Sequence, residues 1–190
     1  NASYDHGKTL TNPHADAEAI AAMFARLDFR LHRPTNSSKN WHADLGLIEM
    51  RRVLADFSVM ADTSDMAVVY FAGHGMEVNG ENYLLPKDCK LEHVRRVRAE
   101  TVALSELLED IQRARRLPLV ILDACRVNEF AQRIRGLDTT RSFRGGLADI
   151  DPPGDVLVAY AARGGAPALD GEDGINSPYA SALLQHLETP

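Results

Sequence analysis

Ala67-Val68-Val69-Tyr70-Phe71-Ala72-Gly73-His74-Gly75 and Leu119-Val120-Ile121-Leu122-Asp123-Ala124-Cys125-Arg126 are the two stretches on which the fold turns. Each opens as a short apolar run rich in β-branched and aromatic residues, the composition of a buried strand. Each closes on residues that can do chemistry. A parallel sheet sets functional side chains just past the carboxyl ends of its strands. A His and a Cys at two such ends are candidates for a nucleophile and for its general base or acid. Taken singly, Cys125 also reads as a small buried hydrophobe, and His74 as a surface histidine in a glycine turn.

Outward from these stretches, apolar periodicity predicts a helix over 15–27, with Ala17, Ile20, Ala21, Phe24 and Leu27 on one face. Phe29-Arg30-Leu31-His32 reads as a short alternating strand. A second helix is predicted over 45–61, carried by Leu47, Met50, Leu54, Phe57 and Ala61. After His74 a hairpin is expected, Met76 to Val78 against Asn82 to Leu85, because Asn79-Gly80 accepts positive φ at both positions. A third helix covers 105–116, a further strand 155–161, and Ser177-Pro178 opens a last helix as N-cap and first helical residue. Strands alternating with helices predict an α/β/α sandwich around a mostly parallel sheet. Between 126 and 154 lies a long stretch of little periodicity.

The 190 residues fit one domain, with hydrophobic and charged fractions of 45% and 25%, ordinary values for a globular chain. A net charge of −6 argues against a nucleic-acid surface. No apolar run approaches the ~20 residues of a membrane helix, so neither nucleic acid nor membrane is expected as a partner. Two cysteines, Cys89 and Cys125, make no disulfide framework. Cys89 sits in the polar run Pro86-Lys87-Asp88-Cys89-Lys90 and reads as incidental. No signal peptide is visible; the location is unknown, with the cytoplasm as the default. No Cys/His spacing suggests zinc, no cofactor is required, and no metal is assigned. The acidic, glycine-rich run Asp170-Gly171-Glu172-Asp173-Gly174 does not match a complete EF-hand loop.

Both motifs, with Asn12-Pro13-His14-Ala15-Asp16-Ala17 and Asn176-Ser177-Pro178-Tyr179, resemble the caspase–metacaspase family of cysteine peptidases over nearly the whole chain. The wording is most similar to the bacterial, orthocaspase- or metacaspase-like branch. In that family the His lies about 50 residues before the Cys, and finding both motifs together favours a His74/Cys125 dyad. The resemblance implies that Cys125 attacks the scissile carbonyl and His74 moves the proton. It also implies an oxyanion hole from the backbone N–H groups of Gly75 and Cys125. Gly73 and Gly75 are expected to let the backbone turn.

Animal caspases carry Gln where this chain has Asp123, so cleavage after aspartate is not expected. Asp16 and Asp123 are instead implied as the pocket for Arg or Lys before the cut, with basic peptide or protein segments as substrates. Each acid also has a structural reading, Asp16 at a helix start and Asp123 as an acceptor for loop N–H groups. Self-cleavage is expected at Arg135, Arg141 or Arg144. Calcium activation, known in many metacaspases, is left unassigned. Related chains carry an apolar first strand before the position of Asn1 and continue beyond Pro190, so this single domain is expected to be truncated at both ends. The alternative function is a catalytically silent caspase-like module that binds partners; a nucleotide-binding α/β domain is disfavoured, since no phosphate-binding glycine motif follows a strand. Sequence names neither the residue that orients His74 nor the oligomeric state.

Overall fold

The computed structural model describes residues 1–125, 130, 134–136, 147–148, 150–152, 154–162 and 175–188, with Cys125 by its backbone. In chain order the elements are α1 (Pro13–Arg26), α2 (Leu47–Ala61), β1 (Met66–Val78), β2 (Glu81–Leu84), a 3₁₀ turn (Val94–Arg96), α3 (Val97–Glu100), β3 (Val102–Ala103), α4 (Leu104–Ile111), β4 (Leu117–Cys125), β5 (Leu157–Tyr160) and α5 (Pro178–His186). The sheet order is β3-β2-β1-β4-β5. β1 pairs in parallel with β4 from Met66 opposite Leu117 to His74 opposite Cys125. β4 pairs in parallel with β5, Leu119 opposite Leu157 through Leu122 opposite Tyr160. Past the ladder with β4, β1 pairs antiparallel with β2, and β2 with β3. The result is the mixed, mostly parallel α/β sheet that the alternation of elements predicts.

The residues of the sheet alternate between two helical layers. Phe71, Val120 and Leu122 pack with Met50 of α2 and with Leu104, Leu107, Leu108 and Ile111 of α4. On the other face Tyr70 packs against Ile20 and Met23 of α1 and Ala180 of α5. A parallel sheet with both faces covered buries its apolar runs on both sides, which is why those runs are nearly continuous in the sequence. The other edge of β1, beside Met66 to Ala72, pairs with no strand among the described residues. It borders a groove of about 290 Å³ lined by Ile20, Phe24, Leu54, Phe57 and Val69.

Four sequence expectations change. First, Gly73-His74-Gly75 does not turn: β1 runs through it unbroken for 13 residues. Pairing on both sides of the motif outweighs the weak strand preference of glycine. The turn comes later, at Asn79 and Gly80, with φ of 55° and 83°. Second, Phe29 to His32 is not a strand. Asp28 takes φ of 62°, Phe29 N–H donates to Phe24 O (3.0 Å), and the two phenyl rings meet edge-on at 5.0 Å. This closes the end of α1 and folds Phe29 back onto it. Third, α4 ends at Ile111 instead of Arg116, because the N–H groups of Arg115 and Arg116 are drawn to Ser64 O and Asp65 O. Fourth, Cys89 is buried in a second core with Tyr4, Leu10, Met76, Tyr83 and Leu91.

Leu107 is fully buried between α4 and the sheet. Leu107→Ala should cost about 2–5 kcal/mol of stability through lost burial and the cavity left behind. Urea unfolding checks this, with a lower midpoint and an unchanged slope.

Candidate active site

His74 lies where β1 leaves β4 and meets β2. Its ring is 1% exposed. Tyr4 lies against it at 4.5 Å between centroids, and Phe130 meets it edge-on at 5.8 Å. The backbone N–H of His74 donates to the Tyr4 hydroxyl (2.7 Å). Its Nε2 lies 2.9 Å from the carbonyl oxygen of Lys8. A carbonyl only accepts, so Nε2 carries a hydrogen and the neutral ring holds its lone pair on Nδ1.

The hydrogen-bond partners Tyr4 and Lys8 come from residues 1–10, a segment with no regular structure that is nevertheless held at several points. The Asn1 side chain exchanges hydrogen bonds with the Leu45 backbone (2.7 and 3.2 Å). The N–H groups of Ala2 and Ser3 donate to Asp44 Oδ1 (2.7 and 3.0 Å). Asp5 N–H donates to Lys87 O (2.9 Å) and Leu10 N–H to Ala2 O (2.9 Å). The flanking glycines make room rather than turns. A Cβ at Gly73 would lie 2.7 Å from the Tyr4 hydroxyl, and one at Gly75 would lie 3.1 Å from Leu147 and 3.2 Å from the Ala124 Cβ.

Asp16 and Asp123 come together, although one opens α1 and the other nearly ends β4. Both are buried. Asp16 Oδ1 accepts from Asn176 Nδ2 (2.9 Å) and from Ser177 N–H (2.9 Å). Asp123 Oδ2 accepts from Tyr70 O–H (2.9 Å) and from the Ser177 hydroxyl (2.5 Å). Burial, with the nearby Asp123 and Asp16 carboxylates, pushes the Tyr70 hydroxyl far above its ordinary range, so Tyr70 remains a donor. Burial and Asp123 also raise Tyr179. Donors of this kind offset the cost of removing a carboxylate from water.

Cys125 stands opposite His74 in register. The other thiol, Cys89, is pushed up to about 12, first by burial and then by Glu100 and Asp88. Arg135 has an exposed side chain but a pinned backbone: its N–H donates to Glu92 O (3.0 Å), and its carbonyl accepts from Val94 N–H (3.0 Å). Arg141, Arg144 and the run 170–174 lie outside the described residues. Among the described residues no group of three or more His, Cys, Asp or Glu could hold a metal ion, and no helix is long and apolar enough to cross a membrane.

Sequence reasoning missed Tyr4, the Lys8 carbonyl, Phe130 and Tyr70 at this site. Tyr70 reads as one more apolar strand residue. Ser177 reads only as a helix cap, which it is, accepting from Ala180 N–H (3.0 Å).

The family model for the caspase domain matches residues 1–190. The chain is 24% identical over 173 residues to human mucosa-associated lymphoid tissue lymphoma translocation protein 1, a stretch covering 90% of this chain and 18% of that protein. The chain thus spans about a fifth of the length of the curated relative it matches.

Tyr4→Phe removes the acceptor from the buried N–H of His74. The expected cost is about 1–3 kcal/mol, that of an unsatisfied buried donor. Urea unfolding reads the loss, and faster amide exchange at His74 locates it.

Proposed function

This chain belongs to the caspase-domain family, and on that premise we propose that it is a cysteine endopeptidase with Cys125 as nucleophile and His74 as its proton-transfer partner. The observation that carries the reading is the register, which makes the two residues neighbours on adjacent parallel strands, about 4.8 Å apart by strand spacing. Caspase-like proteases act on protein substrates. Within the family, the wording of both motifs favours the bacterial, metacaspase-like branch.

Nδ1 of His74 takes the proton of the Cys125 thiol, and the thiolate attacks the scissile carbonyl, forming a C–S bond and an oxyanion. The N–H groups of Gly75 and Cys125 receive that charge. His74 gives a proton to the leaving amine as the C–N bond breaks, and then accepts one from the water that hydrolyses the thioester. Because Nε2–H is engaged by the Lys8 carbonyl, Nδ1 is the nitrogen that exchanges these protons. Asp16 and Asp123, brought together through Ser177, hold Arg or Lys before the cut.

A second reading, a catalytically silent module that binds partners, draws on the burial of His74 beneath Tyr4 and Phe130. Thiol chemistry separates the two. In the full-length protein a peptidyl chloromethyl ketone ending in Arg should alkylate Cys125 far faster than Cys89, whose thiolate is scarce at neutral pH. A positional peptide library, run with and without calcium, should show cleavage after Arg or Lys that vanishes in Cys125→Ala. Equal labelling of both thiols, with no cleavage, would favour the silent module. Cleavage after Asp would overturn the pocket.

Self-processing is proposed at Arg141 or Arg144 in preference to Arg135. A protease needs extended, released backbone, and cutting after Arg135 requires its two hydrogen bonds to residues 92 and 94 to open. Mass spectrometry of the full-length protein should find ends after Arg141 or Arg144 that are absent from Cys125→Ala. Cleavage mainly after Arg135 would overturn that preference and show that these two hydrogen bonds open readily.

A further inference from the structure

We propose that Ser177 is a specificity-positioning residue, which fixes the aim of both pocket carboxylates at once and so favours arginine over lysine before the cut. The inference rests on the reading of Asp16 and Asp123 as that pocket. Ser177 bonds both acids, through its N–H to Asp16 Oδ1 and through its hydroxyl to Asp123 Oδ2. The hydroxyl has one hydrogen. Its oxygen already accepts from Ala180 N–H, and a carboxylate only accepts, so the hydrogen points to Asp123. The start of α5 is thereby tied to α1 and to the end of β4.

Each acid also has a second donor on the same oxygen, Asn176 Nδ2 for Asp16 and Tyr70 O–H for Asp123. Two donors on one oxygen fix the carboxylate plane. Arginine recognition depends on that plane, because a guanidinium makes two parallel bonds in a fixed fork. Lysine does not depend on it in the same way: an ammonium is a point charge that any orientation of the acids attracts. Loosening the carboxylates should therefore harm arginine binding more than lysine binding. A serine that merely capped α5 would affect the two equally.

The test compares wild-type full-length protein with Ser177→Ala, Ser177→Thr and Tyr70→Phe on matched Arg and Lys peptides. Calorimetry with benzamidine and benzylamine reads the pocket without turnover. In Ser177→Ala, KM for the Arg peptide should rise about tenfold, the scale of one charge-assisted hydrogen bond, with kcat falling by less than KM rises. The Lys peptide should change less, and benzamidine binding should weaken more than benzylamine binding. Ser177→Thr keeps the hydroxyl and should restore the Arg preference.

Tyr70→Phe loosens Asp123 without touching the helix cap. It should move the same ratios in the same direction, and it carries the test alone should Ser177→Ala fail to fold. Equal effects on Arg and Lys, or an effect confined to kcat, would overturn the inference. Benzamidine binding that weakens in Ser177→Ala, in a protein that cleaves no peptide, would uphold it while overturning the peptidase reading. Cleavage without preference for basic residues, or a wild-type protein that neither cleaves nor binds benzamidine, would overturn it.

Discussion

Parallel pairing between β1 and β4 runs from Met66 opposite Leu117 to His74 opposite Cys125, and the rest of the molecule is arranged around that register. Side chains alternate faces with a period of two, so a slip of one residue would exchange the faces of a whole strand. Phe71 or Leu122, according to which strand slipped, would leave the core the two share with α4. Tyr70 would lose Asp123, its hydrogen-bond partner across the two strands. Burial on both faces therefore penalises odd slips, and the Tyr70–Asp123 hydrogen bond penalises even ones. That register sets His74 beside Cys125 at the point where β4 ends and β1 continues alone to pair with β2. A crevice outside the carboxyl ends of parallel strands is where open α/β sheets take their ligands.

The ladder places the backbone, and irregular chain completes the surroundings of His74. Residues 1–10 have no repeating hydrogen bonds of their own, so their polar groups need partners elsewhere. Asp44, Leu45 and Lys87 supply them. Burial pulls the Asp44 carboxyl upward, but the N–H groups of Ser3 and Ala2, together with His14, outweigh it and leave the acid below its ordinary range. An acid depressed in this way stabilises the fold above its unfolded pKa, and that contribution fades as pH falls through the carboxylate range. The segment carrying Tyr4 and Lys8 is thus tied down partly by charge.

Local signals were the legible ones. Asn79-Gly80 and Ser177-Pro178 form the turn and the helix start they predict, because each encodes its geometry within a few residues. The two apolar runs read as strands for the same reason. Gly73-His74-Gly75 misled, since a local breaker signal gives no hint of pairing on both sides. Cys89 looked polar because its neighbours in sequence are polar, whereas its burial comes from Tyr4, Leu10 and Leu91. Asp16 and Asp123 stood out as candidates one by one. That a serine near the end of the chain bonds to both depends on contacts no short window contains.

The orienting group for His74 was illegible for a deeper reason. A carboxylate or amide side chain in that role would leave a letter in the sequence, but a backbone carbonyl leaves none. Any residue at position 8 offers the same oxygen, provided the chain passes through the same place. What specifies the bond is the path of residues 1–10, and that path is held by groups remote from His74, among them Asp44 and the Leu45 backbone. The carbonyl also differs in its physics from a carboxylate: it fixes which nitrogen carries the hydrogen while bringing no net charge to the ring. The information that selects the tautomer of His74 is therefore spread over the anchors of a loop, which is why two short motifs suffice to mark the candidate site but not to describe how its histidine is held.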